Sequence, residues 1–182
     1  MPAADERQLI LDVQEGSHDA FRLLVERYMK QAYTVAYGFL RDHDDAEDVA
    51  QESFVRVYRS IKTFRGDSEF GTWLYRIVMN LSLNRAQQRK NARLRTEESP
   101  EAIENVTNSA GAQEPDVRWH IENALHQLPT LQRATVILRH LNGLSTKQVS
   151  GVLGCSEGTV KTHLHRGLKK MKTMLYFLDG EF

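Results

Sequence analysis

A stretch near the middle of the chain can adopt only one kind of secondary structure. Between residues 70 and 81, apolar side chains recur at intervals of three and four residues, which is the spacing of one face of an α-helix. Polar residues follow at four-residue steps on another face and are predicted to be exposed. The apolar face contains Phe70, Trp73, Leu74, Ile77, Val78 and Leu81, and the polar face contains Arg76, Asn80, Asn84 and Gln88. The stretch therefore predicts one long amphipathic helix.

The far end of this helix is basic, and a polar loop precedes it. Residues 76–95 contain six Arg or Lys and no acid, although the whole chain has 24 Lys and Arg against 24 Asp and Glu. The sequence Arg65-Gly66-Asp67-Ser68 is typical of a turn followed by a helix cap. An ordinary core helix with a solvated end accounts for the apolar face. Nucleic-acid binding accounts better for the loop and the polar face, because positive charge is concentrated here in a neutral protein.

The same helical spacing runs through the rest of the chain, and no segment alternates as a strand does. Residues 96–115 differ, since they are rich in acidic, small and polar residues and contain two prolines. We therefore predict an all-α protein with two small helical domains, residues 1–95 and 116–182, joined by a flexible acidic linker over residues 96–115.

The helix predicted over residues 45–61 carries a mixed outer face. Asp48, Gln51 and Glu52 surround Val55 there, outside the predicted buried stripe. A solvated acidic face is one interpretation. A surface that binds a partner is the other, because the centre of a protein interface tends to be apolar. The residues alone leave both interpretations open.

The second predicted domain ends in a helix-turn-helix pattern. A short helix capped by Ser145 is followed by a tight turn at Gly154-Cys155-Ser156 and by a longer helix. Two short helices with a glycine turn also occur in many proteins that bind no DNA. Residues 147–172, however, contain six Lys or Arg and a single acid, Glu157. This basic outer face favours DNA binding.

Composition excludes several other classes of protein. The single cysteine, Cys155, rules out an internal disulfide framework and fits a reducing cytosol. No apolar run approaches membrane-spanning length, and residues 1–6 lack the basic and apolar parts of a signal peptide. There is no glycine-rich phosphate loop, paired metal-ligand spacing or nucleophile elbow. We therefore expect a cytoplasmic protein that is not an enzyme, inserts into no membrane and uses no cofactor or metal.

Three motifs together resemble those of a known family. They are D-D-A-E-D-V-A-Q-E-S-F at 44–54, F-R-G-D-S-E-F-G-T-W-L-Y-R-I-V-M-N at 64–80, and L-P-T-L-Q-R at 128–133 with G-L-S-T-K-Q-V-S-G-V-L-G-C-S-E-G-T-V-K-T-H-L-H-R at 143–166. In this order they are similar to the extracytoplasmic-function sigma factors, the small group of the bacterial sigma-70 family, and especially to the RpoE-like subgroup. The resemblance covers nearly the whole chain.

The resemblance implies a factor for transcription initiation and its regulation in a stress response. Such a factor binds core RNA polymerase, directs it to specific promoter DNA and helps to melt the minus-10 element, and an anti-sigma factor is a further expected partner. A base must leave its stack before its pairing edge can be read, and positive charge nearby holds the single strand. The resemblance assigns Asp48, Gln51, Glu52 and Val55 to core polymerase, Arg65, Gly66, Asp67, Ser68, Arg76, Asn80 and Asn84 to the minus-10 element, and Thr159, Lys161, Thr162, His165, Arg166 and Lys169 to the minus-35 element.

The chain departs from the family pattern in the helix-turn-helix. His163 stands where many relatives carry Arg, and His165 where several have an aromatic residue. Ser150 and Gly151 replace a commoner pair that contains Ala. The two histidines affect the predicted preference for the upstream promoter sequence and not the predicted fold.

Two other functions remain open at the level of sequence. The segment T-V-K-T-H-L at 159–164 is also close to LuxR-type transcription regulators. That interpretation leaves residues 44–90 unexplained, because the first domain lacks the alternating strands of a receiver domain. A helical module that binds only proteins is the second alternative, and the two basic clusters argue against it.

Overall fold

The computed structural model describes residues 5–97 and 116–177, and all regular structure in these residues is helical. The helices are α1 (Glu6–Gln14), α2 (His18–Leu40), α3 (His43–Ser60) with a 3₁₀ turn at Ile61–Thr63, α4 (Phe70–Glu97), α5 (Val117–His126), α6 (Thr130–Val136) with a π-helical segment at Ile137–Leu141, α7 (Thr146–Leu153) and α8 (Glu157–Met174). The predicted all-α class is therefore confirmed.

The predicted linker lies outside the described residues except for its first two positions. Thr96 and Glu97 belong to α4, which therefore continues two residues beyond the predicted end at Arg95. The helix can run this far because no glycine or proline occurs between residues 72 and 99.

Short polar residues start several of these helices. An unpaired N–H in the first turn of a helix is satisfied by a side-chain oxygen just before it, which contributes about 1 kcal/mol per helix. The side chains that accept from a first-turn N–H are Asp5, Ser17, Asp42, Ser145 and Ser156.

Arg41 ends α2 in the left-handed conformation, with φ of 53°, and its N–H donates to the Tyr37 carbonyl oxygen at 2.7 Å.

Helices α1 to α4 bury the apolar face that the sequence predicts for α4. Four residues of that face are buried and two, Trp73 and Ile77, are half-buried. Because α4 packs against both α2 and α3, these contacts set the direction in which its polar face points. The buried side chains of helices α2 to α4 include Phe70, Leu74, Val78 and Leu81 of α4, Leu24, Val35 and Phe39 of α2, and Val49, Phe54 and Val57 of α3.

Acidic residues at the start of α3 pair with the basic half of α4. The Arg85 guanidinium lies 3.6 Å from Asp45 and 3.2 Å from Asp48. Arg89 lies 2.7 Å from Asp42 and also contacts Asp45. The backbone N–H of Asp45 and the Arg89 guanidinium together lower the pKa of Asp42. Arg85 and Arg89 are therefore paired with acids from another helix, which the acid-free run within α4 does not reveal.

Helices α5 to α8 form a second unit that packs directly against the first. Arg133 of α6 lies over the ring of Phe39 in α2, with 4.5 Å between the guanidinium carbon and the ring centroid. Arg41, at the end of α2, lies 3.6 Å from Glu122 of α5. The buried apolar side chains of both units form one continuous cluster, to which the second unit contributes Ala134, Ile137, Leu138, Val149, Val152 and Val160 among others.

His126, at the end of α5, makes the free energy of unfolding depend on pH. Burial, followed by the charges of Arg133 and Arg41, lowers its pKa from 6.5 to about 4, while Glu122 acts in the opposite direction. The unfolded chain binds this proton near pH 6.5, whereas the folded chain binds it only near pH 4. The free energy of unfolding therefore falls as the pH drops from about 6.5 to about 4. In urea denaturation across this range, His126→Gln is expected to lose less stability than the unaltered chain.

The exposed His140 provides a matched control for this measurement. His140→Gln removes an exposed imidazole and therefore controls for the substitution itself. Carboxylates such as Asp42, whose pKa is lowered, also lose their stabilising interactions in acid, but they do so equally in all three proteins. A His126→Gln profile identical to that of the unaltered chain would contradict the assignment.

Candidate polymerase and nucleic-acid interfaces

The loop before α4 stands on an aromatic base. The rings of Phe64, Phe70 and Trp73 pack against one another with centroid separations of 5.1 to 5.9 Å. The Gln14 side chain of α1 donates to the carbonyl oxygens of Ile61, at 2.9 Å, and Phe64, at 2.8 Å. The Phe70 ring also contacts Tyr28 of α2, with 5.1 Å between the ring centroids, so both ends of the loop are held by other helices.

Residues 65–69, between these ends, are all exposed, as the sequence predicts. Gly66 has φ of 76°, a conformation that glycine adopts without strain. Arg76, Asn80 and Asn84 are also exposed and follow one another at successive turns of α4. We call these residues together, 65–69 with Arg76, Asn80 and Asn84, the loop face.

A shallow cavity surrounds one residue of the loop face. Asn80 lines a space of about 330 Å³ together with Ile77 of α4 and with Arg56, Arg59 and Ser60 of α3. Sequence analysis does not single out Arg59 as a neighbour of Asn80, because the two residues belong to different helices and no local pattern links them. The cavity places a guanidinium beside a carboxamide, a combination able to contact both a phosphate and a base edge.

A larger cavity of about 840 Å³ lies between the loop face and α7. The loop face contributes Arg65, Asp67, Ser68 and Arg76 to its walls, and the aromatic base contributes Trp73. The second unit contributes Ser145, Lys147, Gln148 and Gly151, none of which sequence analysis assigns to this site. Gly66 and Asn84 line neither this cavity nor the one at Asn80. The residues predicted for the minus-10 element therefore do not all lie around one cavity.

The outer face of α3 carries an apolar residue among polar ones, as predicted. Val55 is 47% exposed. Asp48 pairs with Arg85, Glu52 with Arg56 at 2.8 Å, and Gln51 donates to Glu47 at 3.3 Å. The polar groups around Val55 are thus oriented by neighbours in α3 and α4. We call Asp48, Gln51, Glu52 and Val55 the α3 face.

Local hydrogen bonds build the predicted helix-turn-helix from α7 and α8. The Ser145 hydroxyl accepts from the N–H of Gln148, whose side chain accepts from the N–H of Ser145, which makes a reciprocal cap for α7. Gly154 ends α7 with φ of 64°, and the Ser150 hydroxyl donates to the carbonyl oxygen of Cys155 at 2.7 Å. Cys155 is half-buried against the core, as expected of a small apolar residue.

Most of the residues predicted on the outer side of α8 are free to meet a ligand. Thr159 is the exception, because it is half-buried and its hydroxyl lies 2.9 Å from the capping hydroxyl of Ser156. Gly167, on the inner side, faces Val136 so closely that a Cβ would lie 3.0 Å from a methyl group. The exposed members of the predicted set are Lys161, Thr162, His165, Arg166 and Lys169.

Family sequence models match both units of the chain. Sigma-70 region 2 matches residues 24–92, and Sigma-70 region 4 matches residues 119–171. The RNA polymerase sigma-H factor of Pseudomonas aeruginosa is 33% identical over 171 residues, which cover 88% of this chain and 89% of that protein. The ECF RNA polymerase sigma factor SigW of Bacillus subtilis is 31% identical over 179 residues, with coverage of 93% and 96%. The chain belongs to the extracytoplasmic-function sigma factors of the sigma-70 family.

This sigma factor also matches a solved relative in three dimensions. The structure of the sigma factor RpoE in complex with the anti-sigma factor NepR from Bartonella quintana aligns with a TM-score of 0.67 at 25% identity, over 86% of this chain and 96% of that one. A LuxR-type regulator is not favoured, because the region 2 match accounts for the first unit. The protein is a transcription initiation factor that directs RNA polymerase to promoters, and not an enzyme.

None of the helices within 5–97 and 116–177 combines the length and apolarity needed to cross a bilayer. The same residues contain no group of three or more His, Cys, Asp or Glu placed to hold a metal ion.

Proposed function

We propose that this sigma factor starts transcription through three surfaces on two domains. Residues 1–95 act as the region-two domain, residues 116–182 as the region-four domain, and residues 96–115 as the linker between them. The observation that carries the proposal is the exposed loop at 65–69 on its rigid aromatic base. Capture of an extruded base needs contacts that are already held in position, and this loop supplies them.

The loop face is the proposed site for the unpaired minus-10 strand. Asp67 and Asn80 offer acceptors and donors for the pairing edge of a base, and Arg65 and Arg76 offer positive charge for phosphates. Gly66 lets the loop backbone approach a base closely. Ser68 and Asn84 extend the same surface at its two ends.

The α3 face is the proposed docking site for core polymerase. Its exposed Val55 supplies an apolar centre, and Asp48, Gln51 and Glu52 supply a polar rim, which is the usual composition of a specific interface. Asp48 keeps a free face for a partner, because its side chain remains 63% exposed while it pairs with Arg85.

The exposed side of α8 is the proposed reader of the minus-35 element. In a helix-turn-helix the second helix enters the major groove, where Arg and Lys bind guanine edges or phosphates. Lys161, Thr162, His165, Arg166 and Lys169 are available for this role. Thr159 contributes through the cap of the helix, since its hydroxyl is engaged by Ser156.

An anti-sigma factor is the remaining proposed partner. It is supported by the Bartonella quintana relative, the sigma factor RpoE, whose structure contains the anti-sigma factor NepR. Because core polymerase and promoter DNA are the other partners, we propose that this sigma factor acts in the cytoplasm.

Run-off transcription with purified core polymerase tests the proposed function. The full chain added to core polymerase and genomic DNA is expected to produce transcripts that start at discrete sites. Core polymerase alone is the control. Transcripts that are independent of the chain, or that need a second sigma factor, would contradict the proposal.

Replacement of Arg166 tests the minus-35 assignment. A side chain that reads a base contributes about 1–3 kcal/mol to discrimination against the wrong base. Arg166→Ala is therefore expected to relax the base preference at one or two positions of the minus-35 element. Start sites mapped on a promoter library with that region randomised would show the change.

Lys170→Ala is the matched control, since Lys170 is an exposed base on the same helix outside the proposed reading set. It is expected to weaken binding by a similar factor on all sequences, as the loss of a phosphate contact does. An unchanged sequence preference in Arg166→Ala would show that this residue reads no base.

A further inference from the structure

The last residue of α1 contacts the backbone from which the exposed loop starts. The amide nitrogen of Gln14 donates to two carbonyl oxygens, that of Ile61 at 2.9 Å and that of Phe64 at 2.8 Å. The Ile61 oxygen also accepts from the N–H of Phe64 at 3.0 Å, which closes the 3₁₀ turn after α3. One half-buried side chain therefore joins this turn to the residue directly before the loop.

Helix α1 is itself fixed on the first unit. At its first residue, the Glu6 carboxylate accepts a hydrogen bond from the Tyr28 hydroxyl, and the Tyr28 ring packs against Phe70 at the start of α4. The helix thus contacts elements on both sides of the loop, and its apolar face is anchored in the core. The buried side chains of α1 are Leu9, Ile10 and Val13.

The exposed part of the loop depends on its ends, because residues 65–69 lie between the 3₁₀ turn and α4 and belong to neither. A cavity of about 490 Å³ lies between this part and α1, lined by Arg7 and Leu11 on one side and by Arg65 and Gly66 on the other. Helix α1 therefore holds the base of the loop and leaves its exposed residues accessible to a nucleic-acid strand.

Contacts from the second unit reach side chains of the same surface. Gln148 of α7 donates to the Glu69 carboxylate at 2.7 Å, and Arg76 donates to the carbonyl oxygen of Gly151 at 2.9 Å. The side chains of Glu69 and Arg76 can turn to another partner without displacing the loop. Gln14 differs from them, because it binds carbonyl groups of the backbone that carries the loop.

We propose that Gln14 is a positioning residue for capture of the unpaired minus-10 strand. Its two hydrogen bonds fix the backbone from which the loop starts, so Gly66 and Asp67 meet an extruded base already in position. Contacts that are ordered beforehand leave less conformational freedom to be lost on binding. The Sigma-70 region 2 match begins at residue 24 and therefore assigns no role to α1. The proposal rests on the function proposed above for the loop face.

Replacement by methionine removes the donors of Gln14 and keeps the length and helix propensity of the side chain. On a promoter mapped by run-off transcription, with core polymerase, permanganate detects the unpaired thymines of the melted minus-10 element. Gln14→Met is expected to reduce this reactivity about three- to tenfold, the effect of losing one or two hydrogen bonds. Its affinity for core polymerase is expected to be unchanged. No loss of melting, or an equal loss in both measurements, would overturn the proposal.

A lysine at position 14 tests whether the lost donors are the cause. Its ammonium group supplies N–H donors at a similar reach, so Gln14→Lys is expected to recover at least about half of the melting lost in Gln14→Met. An equal defect in the two variants would contradict the proposal.

Gln8 is the matched control position, because its side chain donates to Asp12 within α1, at 2.8 Å. Gln8→Met and Gln8→Lys make the same changes of side chain and charge on the same helix. Both are expected to melt the promoter like the unaltered chain. Defects as large as those at position 14 would show that the effect belongs to α1 in general and not to the Gln14 contact.

A double-variant cycle shows whether Gln14 acts through the loop. In an Asp67→Ala background, Gln14→Met is expected to reduce melting by a further factor of about two or less, because a contact that it positions is already lost. An undiminished loss there would mean that Gln14 acts elsewhere, and the proposal would be wrong. Normal melting in Asp67→Ala alone would instead be a failure of the proposed function of the loop face, on which the role of Gln14 depends.

Discussion

An Asn80→Ala variant is expected to bind promoter duplex normally and to melt it roughly ten- to 100-fold less. Extruding a base costs a few kcal/mol, and only contacts made after extrusion offset that cost, at about 1.4 kcal/mol for each factor of ten. Asn80 lies in a cavity beside Arg59, and alanine is well tolerated in an exposed helix, so the fold is retained. Asp67→Ala is expected to behave in the same way. Permanganate reactivity of the minus-10 thymines measures melting.

The same assay on a premelted bubble locates the defect. Both variants are expected to recover much of their activity there, because the bubble supplies the separated strands. Gln88→Ala is the matched control, since Gln88 is exposed on the same side of α4, two turns beyond Asn80, and outside the loop face. Reduced activity on both templates would indicate a fault other than melting, and full activity on both would remove Asn80 from the site.

A Val55→Glu variant is expected to bind core polymerase at least about 30-fold more weakly. A charge buried at the apolar centre of an interface loses its water without gaining a partner. Residues at such centres contribute about 2 kcal/mol or more to the free energy of binding. Val55 is 47% exposed in the free protein, so the substitution leaves folding unaffected. Binding of labelled sigma factor to core polymerase in titration measures the effect.

Two features of the structure decide how this experiment is controlled. Replacing Asp48 would also break its ion pair with Arg85, which joins α3 to α4, so a loss of binding in that variant has two causes. Gln51→Ala is cleaner, because the hydrogen bond from Gln51 to Glu47 lies within α3. Leu23→Glu, at an exposed apolar site on α2 that is 43% accessible, is the matched control. Unchanged affinity in Val55→Glu would remove the α3 face as the docking site.

The amino-acid sequence by itself determined where the helices lie and which faces they bury. Helix periodicity and capping act over three or four residues, so they can be read directly from neighbours in the chain. In α4 this predicts both the buried Phe70, Leu74 and Val78 and the exposed Asn80 and Asn84. The two helices and the glycine turn of the helix-turn-helix are local in the same sense.

Only the tertiary structure decided which of these residues meet. Arg85 and Asp48 are 37 residues apart in sequence, and Gln148 and Glu69 are 79 apart. The acid-free stretch of α4 therefore suggests a free basic surface, whereas α3 neutralises part of it. No local pattern places Gly151 against Arg76 either. Such contacts depend on how whole helices pack, and that is set by the summed burial of many side chains and not by the residues that touch.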